Sequence, residues 1–132
     1  LTLAALNVFM GRSKLIKRCN FDDQIVVNSA GNIYPCLYFS DNEEFCYGNI
    51  KKGIDRRKIN HHIFVNQRGE CKKCWARYLC GGTCFYAAHF SEGEYLKIDK
   101  VECVLKKYLA EKCLKLIVFL KEHNISLNQI YN

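Results

Sequence analysis

CKKCWARYLCGGTC, residues 71–84, decides how this chain is to be read. It carries Cys71, Cys74, Cys80 and Cys84 with two, five and three residues between them. Those spacings let successive thiolates turn inward around a soft metal centre, while Gly81 and Gly82 relieve the backbone crowding this imposes. A stretch so dense in cysteine is expected to be a metal-wrapping loop with one helical turn rather than regular structure. Trp75 and Tyr78 inside it, and Phe85 and Tyr86 just after it, are expected to pack around the centre and keep water away.

Outward from this run lie Cys19, Cys36, Cys46, Cys103 and Cys113, making nine cysteines in 132 residues. An odd count leaves one thiol without a disulfide partner. The opening LTLAALNVFM has neither the basic start nor the cleavage site of a signal peptide, so a reducing, cytoplasmic setting is expected. Clustered cysteines in that setting bind metal more often than they pair. The chain begins at Leu1 and has Met10 as its single methionine, and reads as cut from a longer protein.

Composition bounds the remaining classes. With 49% hydrophobic and 25% charged residues and one proline, the chain should fold as one domain rather than remain disordered. No apolar run approaches the ~20 residues of a membrane-spanning helix, so no membrane partner is expected and the chain reads as soluble. The net charge of +7 raises a nucleic-acid reading. No groove-reading helix or stacking-aromatic motif supports it. The simpler role for the cations is to offset the negative charge of a centre held by several thiolates.

Residues 1–18 read as the end of a preceding helix and a linker, residues 19–123 as the domain itself, and residues 124–132 as a tail. The fold class expected is α+β: a small irregular domain with a short antiparallel β-meander, cysteine-rich loops and a long C-terminal helix. Gln24 to Val27 and Asn32 to Phe39 are β-prone around the turn signal Ser29 to Asn32, and Glu44 to Gly48 suggests a third strand. KKGIDRRKINHHI, residues 51–63, suggests a helix from Asp55, closed by Asn66 to Gly69, with its five cations on a solvated face. Asp99 and Glu102 form a capping-box-like start for the last helix. Leu105, Leu109, Cys113, Leu116 and Leu120 then follow on one helical face to about His123.

The wider cysteine order is specific. Eleven residues separate Cys19 from Gly31, four separate Gly31 from Cys36, the 71–84 run follows, and Cys103 ends the series. This order, with the flanking GNIYPC and YGNI, resembles the seven-cysteine pattern of SPASM domains, the auxiliary-cluster domains of radical S-adenosylmethionine peptide maturases, and is similar to the thioether-forming members. The resemblance implies two [4Fe-4S] clusters. It would place Cys71, Cys74, Cys80 and Cys103 on one cluster, and Cys19, Cys36 and Cys84 on a second that is one thiolate short. In such families the open position takes an upstream cysteine, a non-cysteine ligand or the substrate's own cysteine. Cys46 is a candidate here, although a turn between Asp41 and Asn42 puts Cys36 opposite Tyr47 and Cys46 on the other face. Asp22 and Asp23 are oxygen-donor candidates.

The resemblance further implies a radical S-adenosylmethionine core outside this chain, a precursor peptide as substrate and an electron-donor protein as a possible partner. The core's Cys-X3-Cys-X2-Cys motif is absent, because Ala87 stands three positions after Cys84. S-adenosylmethionine would therefore bind only in that core, and this chain would not be catalytic alone. The alternative is a structural zinc module on Cys71, Cys74, Cys80 and Cys84, which leaves Cys19, Cys36 and Cys103 without a role. Cys113 reads as a small buried hydrophobe on the apolar stripe. Cys103 sits in a first helical turn, where the dipole favours a thiolate. His61, His62, His89 and His123 have no ligand spacing and read as structural or exposed.

Overall fold

A computed structural model describes residues 19–21, 23–59 and 63–125. The expected N-terminal helix, Asp22, His61, His62 and most of the C-terminal tail lie outside them. The architecture is α+β, with a four-stranded antiparallel sheet and a long C-terminal helix.

Four very short strands, β1 (Val26–Val27), β2 (Asn32–Tyr34), β3 (Gly48–Asn49) and β4 (Gly53–Ile54), form a meander in the order β1-β2-β3-β4. Asn28 organises the first turn, its side-chain oxygen accepting from the N–H groups of Ala30 at 3.1 Å and Asn32 at 3.0 Å. This is the local bonding that suits Asn to turns. Gly31 closes the turn at φ +80°, a conformation that favours glycine. Asn49 then ties β3 to the same corner by donating to Asn32 Oδ1 at 2.8 Å and to the Ala30 carbonyl at 3.1 Å.

Beyond the hairpin the strands are shorter than their composition suggests. β2 stops at Pro35, which has no N–H to continue a ladder, and Leu37–Phe39 turns as a 3-10 helix instead. The third strand, expected over Glu44 to Gly48, begins instead as a second 3-10 turn, Glu43–Phe45, capped by Asn42, whose side chain accepts from Glu44 N–H. The third strand follows at Gly48–Asn49. The helix expected from Asp55 is a single 3-10 turn, Arg56–Lys58, with Asp55 as its cap. Segment 65–73 is likewise two 3-10 turns, Val65–Gln67 and Gly69–Lys73, and Arg68 at their junction is buried rather than closing an exposed helix.

Among the described residues the α-helices are α1 (Arg77–Cys80), α2 (Phe85–Glu92) and α3 (Lys100–Glu122). α1 is the single turn expected within the cysteine run. α2 is not announced by apolar spacing, since half of its buried pair is Ala88, a residue of low hydrophobic contrast. α3 starts at the expected cap, with Asp99 Oδ1 accepting from Glu102 N–H at 2.6 Å.

The face of α3 differs from expectation. Leu105, Leu109 and Leu116 are 55%, 37% and 51% exposed, whereas Lys106, Ala110, Ile117 and Leu120 are buried. Cys113 is half-buried. The helix is rotated because Lys106 turns inward to polar partners, which places the 106/110/117/120 side against the protein.

Two clusters form the core. Phe21, Tyr34, Phe39, Phe45, Ile63 and Phe85 make the larger, with Cys36 and Cys46 packed on it. Phe21 stands 4.6 Å from Phe85 and 5.6 Å from Phe39 between ring centroids. Each fully buried ring is worth about 1.5–3 kcal/mol of transfer free energy. Val65, Cys71 and Ile98 make the smaller cluster, joined by Tyr78 and Cys103.

Candidate metal centre

The smaller core is where the cysteine run closes on α3. Cys71 lies in the Gly69–Lys73 turn, and its carbonyl accepts from Cys74 N–H at 3.0 Å, so these two thiols leave one tight bend. Cys80 ends α1, where Gly81 at φ +68° and Gly82 at φ +95° reverse the chain, as left-handed glycines do at helix ends. Cys103 reaches the same region from α3 and packs with Cys71.

Electrostatics shows the same grouping. Burial pushes the Cys71 thiol up; Arg68 opposes this, while charge on Cys80, Cys103 or Cys74 pushes it further up. Burial likewise raises Cys103, opposed by Lys107 and reinforced by Cys74 and Cys80. Cys71, Cys74, Cys80 and Cys103 therefore share one neighbourhood. The helix start was expected to favour a Cys103 thiolate. Desolvation outweighs it, because the side chain is half-buried against an apolar cluster.

Cys19, Cys36 and Cys84 are drawn together less directly. Cys19 is exposed two residues before buried Phe21, Cys36 precedes the turn that buries Phe39, and Cys84 caps α2 immediately before buried Phe85. The packed rings of Phe21, Phe39 and Phe85 thus join the three chain segments that carry them. Cys84 N–H donates to Glu102 Oε2 at 2.7 Å, fixing this segment to the start of α3.

Cys46 differs from its expected placement. Ile33 pairs with Gly48 in the ladder, so Tyr34, not Cys36, comes level with Tyr47. Two 3-10 turns separate the strands, shifting the register by two residues and taking Cys36 out of the ladder. Strand alternation no longer decides the side, and both Cys36 and Cys46 pack on the larger core. The Cys46 thiol contacts the Gly48 carbonyl at 3.3 Å. Asp23 is exposed.

No disulfide joins any of the nine cysteines. Among the described residues, no three His, Cys, Asp or Glu side chains converge to hold a single metal ion. The soft sulfur donors match thiolate chemistry, with the first four thiols gathered but not drawn onto one point. Trp75, expected to shield, is 56% exposed; Phe85 is buried, and Tyr78 and Tyr86 are half-buried. His89 lies edge-on to Phe39 and Phe45, and His123 contacts the Phe119 carbonyl through Nδ1 at 2.9 Å, both structural roles.

A polar network behind the thiols has no motif to announce it. Lys106, 3% exposed, donates to the Gly82 carbonyl at 2.9 Å and pairs with Glu102 Oε1 at 2.8 Å. Asp99 N–H donates to Thr83 Oγ1 at 3.1 Å. The capping box is consequently only half made, because the Glu102 carboxylate serves Cys84 and Lys106. The i,i+4 spacing of Glu102 and Lys106 marks a pair but does not tell a buried one from a solvated one.

No family model matches the chain. It is similar to CCR4-NOT transcription complex subunit 10 of Danio rerio, at 29% identity over 87 residues, 62% of this chain. The chain spans 13% of the length of that relative. No described helix is long and apolar enough to cross a membrane.

Proposed function

We propose that this chain is the auxiliary iron–sulfur domain of a cytoplasmic radical S-adenosylmethionine enzyme that modifies a ribosomally made peptide. The observation that carries the reading is the shared neighbourhood of Cys71, Cys74, Cys80 and Cys103, which come from two distant segments and match one ligand set of the resembled family. Cys19, Cys36 and Cys84 would hold the second cluster, on segments joined by the aromatic core. When bound, the clusters would supply an electron path or an open iron position for a substrate thiolate.

The chain's own residues bind and enclose. Buried Val65 and Ile98 and half-buried Tyr78 limit water on one side of the first thiol set. The backbone bond from Cys84 to Glu102 holds the link between the two sets. The radical-generating core, the precursor peptide and an electron-donor protein would be supplied from outside this chain.

Anaerobic reconstitution with iron and sulfide, followed by metal analysis and visible spectroscopy, tests the reading. Two clusters require about eight irons per chain and a brown colour bleached by dithionite. A colourless chain carrying one zinc would establish the structural zinc module instead.

A further inference from the structure

Arg68 is 1% exposed, and among the described residues every group it donates to is neutral. Nε donates to the Leu96 carbonyl at 3.2 Å, and Nη1 to the Thr83 carbonyl at 2.5 Å. Nη2 donates to Thr83 Oγ1 at 3.2 Å, to the Tyr95 carbonyl at 3.4 Å and to the Lys97 carbonyl. The guanidinium also lies 4.8 Å from the Phe85 ring centroid. One side chain thus binds the 65–73 turns, the Cys80–Cys84 link and the approach to α3.

Charge around it does not balance. Lys106 is buried and paired with Glu102, so Arg68 leaves one buried positive charge without an ion-pair partner among the described residues. Burying a guanidinium against neutral acceptors is unfavourable by several kcal/mol unless an anion lies near. The groups whose negative charge acts on it are Cys71, Glu102, Cys80 and Cys84. With Glu102 engaged by Lys106, the thiols remain. Space is arranged for this contact too: a Cβ on Gly82 would stand 2.9 Å from Arg68 Nη1.

We propose that Arg68 is a positioning residue that fixes the Cys80–Cys84 link between the two thiol sets and provides the counter-charge for the anionic centre they hold, raising its reduction potential. The counter-charge role rests on the cluster reading above; the positioning role rests on the hydrogen bonds alone. Arginine suits both roles, because it stays protonated and its planar fork reaches several acceptors at once, whereas lysine offers a point charge. A fixed positive charge beside a centre favours the more reduced, more negative state.

The test compares the whole chain as wild type, Arg68→Lys and Arg68→Gln, with folding checked by circular dichroism. Iron content and midpoint potential are measured after reconstitution, and Cd(II) affinity of the metal-free chain is measured by thiolate-to-cadmium absorption. Arg68→Gln is expected to shift the midpoint negative and weaken Cd(II) binding at least tenfold. Arg68→Lys should hold the midpoint near wild type and still weaken Cd(II) binding several-fold. A folded Arg68→Gln chain with wild-type midpoint and Cd(II) affinity overturns the proposal. If Arg68→Gln does not fold, Arg68→Lys decides, and unchanged Cd(II) affinity there overturns the positioning role. A wild-type chain that binds Cd(II) but takes up no iron sinks the cluster reading and the counter-charge role with it, while the Cd(II) comparison still decides positioning.

Discussion

Lys106→Met is the sharpest perturbation of the scaffold behind the thiols. The substitution keeps an unbranched side chain of similar length but removes the cation from Glu102 Oε1 at 2.8 Å and the donor from the Gly82 carbonyl at 2.9 Å. Lys106 is almost fully buried while the Glu102 carboxylate keeps some contact with solvent, so solvent screens the loss only in part. Breaking one side of a buried pair costs about 3–5 kcal/mol. At a urea slope of ~2 kcal/mol per M for a domain of this size, the unfolding midpoint should fall by roughly 2 M. Glu102→Gln keeps an acceptor for Cys84 N–H but leaves the Lys106 cation buried without its anion, so it should cost about as much as Lys106→Met. The double variant should be less destabilised than the sum of the singles by about 1–3 kcal/mol, since the two partners share one interaction. Anaerobic urea titrations followed by circular dichroism and by Trp75, the single tryptophan, measure all three. Strict additivity, or a Lys106→Met chain within ~0.5 kcal/mol of wild type, would refute the buried-pair reasoning.

Asp99→Ala removes the cap of α3 and should cost about 1 kcal/mol at neutral pH. The Glu102 N–H bond, with Ser91 adding, holds the Asp99 carboxyl below its ordinary value of 3.8. The wild-type advantage is therefore full above about pH 4 and fades as pH falls through the lowered folded value, which urea titrations at pH 7 and pH 3 would read. Gly82→Ala and Gly93→Ala both place a side chain at positive φ, but only Gly82 also meets Arg68, whereas nothing lies within 4 Å at Gly93. Gly82→Ala should cost more by about 1–3 kcal/mol of overpacking, and equal midpoints would contradict that close approach. Ile117→Ala should cost about 2–4 kcal/mol and Leu105→Ala under about 1 kcal/mol, as their burial implies, and the reverse order in thermal or urea unfolding would show that α3 is rotated the other way.

What was legible in the sequence was what short-range chemistry dictates. The Ser29 to Asn32 signal, with Gly31 in it, marks the first turn, Asp99 starts α3, and the left-handed glycines at 81 and 82 bend the cysteine run, all through contacts within a few residues. The long helix was legible, but its inward face was not. Counting lysine as polar selects Leu105, Leu109 and Leu116, whereas Lys106 satisfies its charge inside and draws the other face in with it. Strand lengths failed for a related reason. Pro35 and the Asn42 cap each favour a turn over β-prone neighbours, and the Asp55 cap starts a single 3-10 turn where a longer helix was expected. At the candidate site, thiol spacing was visible, while Arg68 and Lys106 were not, because nothing local distinguishes a buried cation from a solvated one.

The two thiol sets differ in what must form before each is assembled. Cys71, Cys74 and Cys80 lie within ten residues and are brought near one another by two short helical turns, so only Cys103 has to arrive from a distance. Cys19, Cys36 and Cys84 depend on long loop closures, and what offsets that entropy is the packing of Phe21, Phe39 and Phe85. The first set should therefore survive damage to the aromatic core, and the second should not. Loss of the Phe21 ring would separate the Cys19 segment from Cys84 while leaving the Arg68 bonds to Thr83 in place. Stability of the first set thus follows from local backbone and the two buried cations Arg68 and Lys106, and that of the second from tertiary packing, with Gly81, Gly82 and Thr83 as the short link between them.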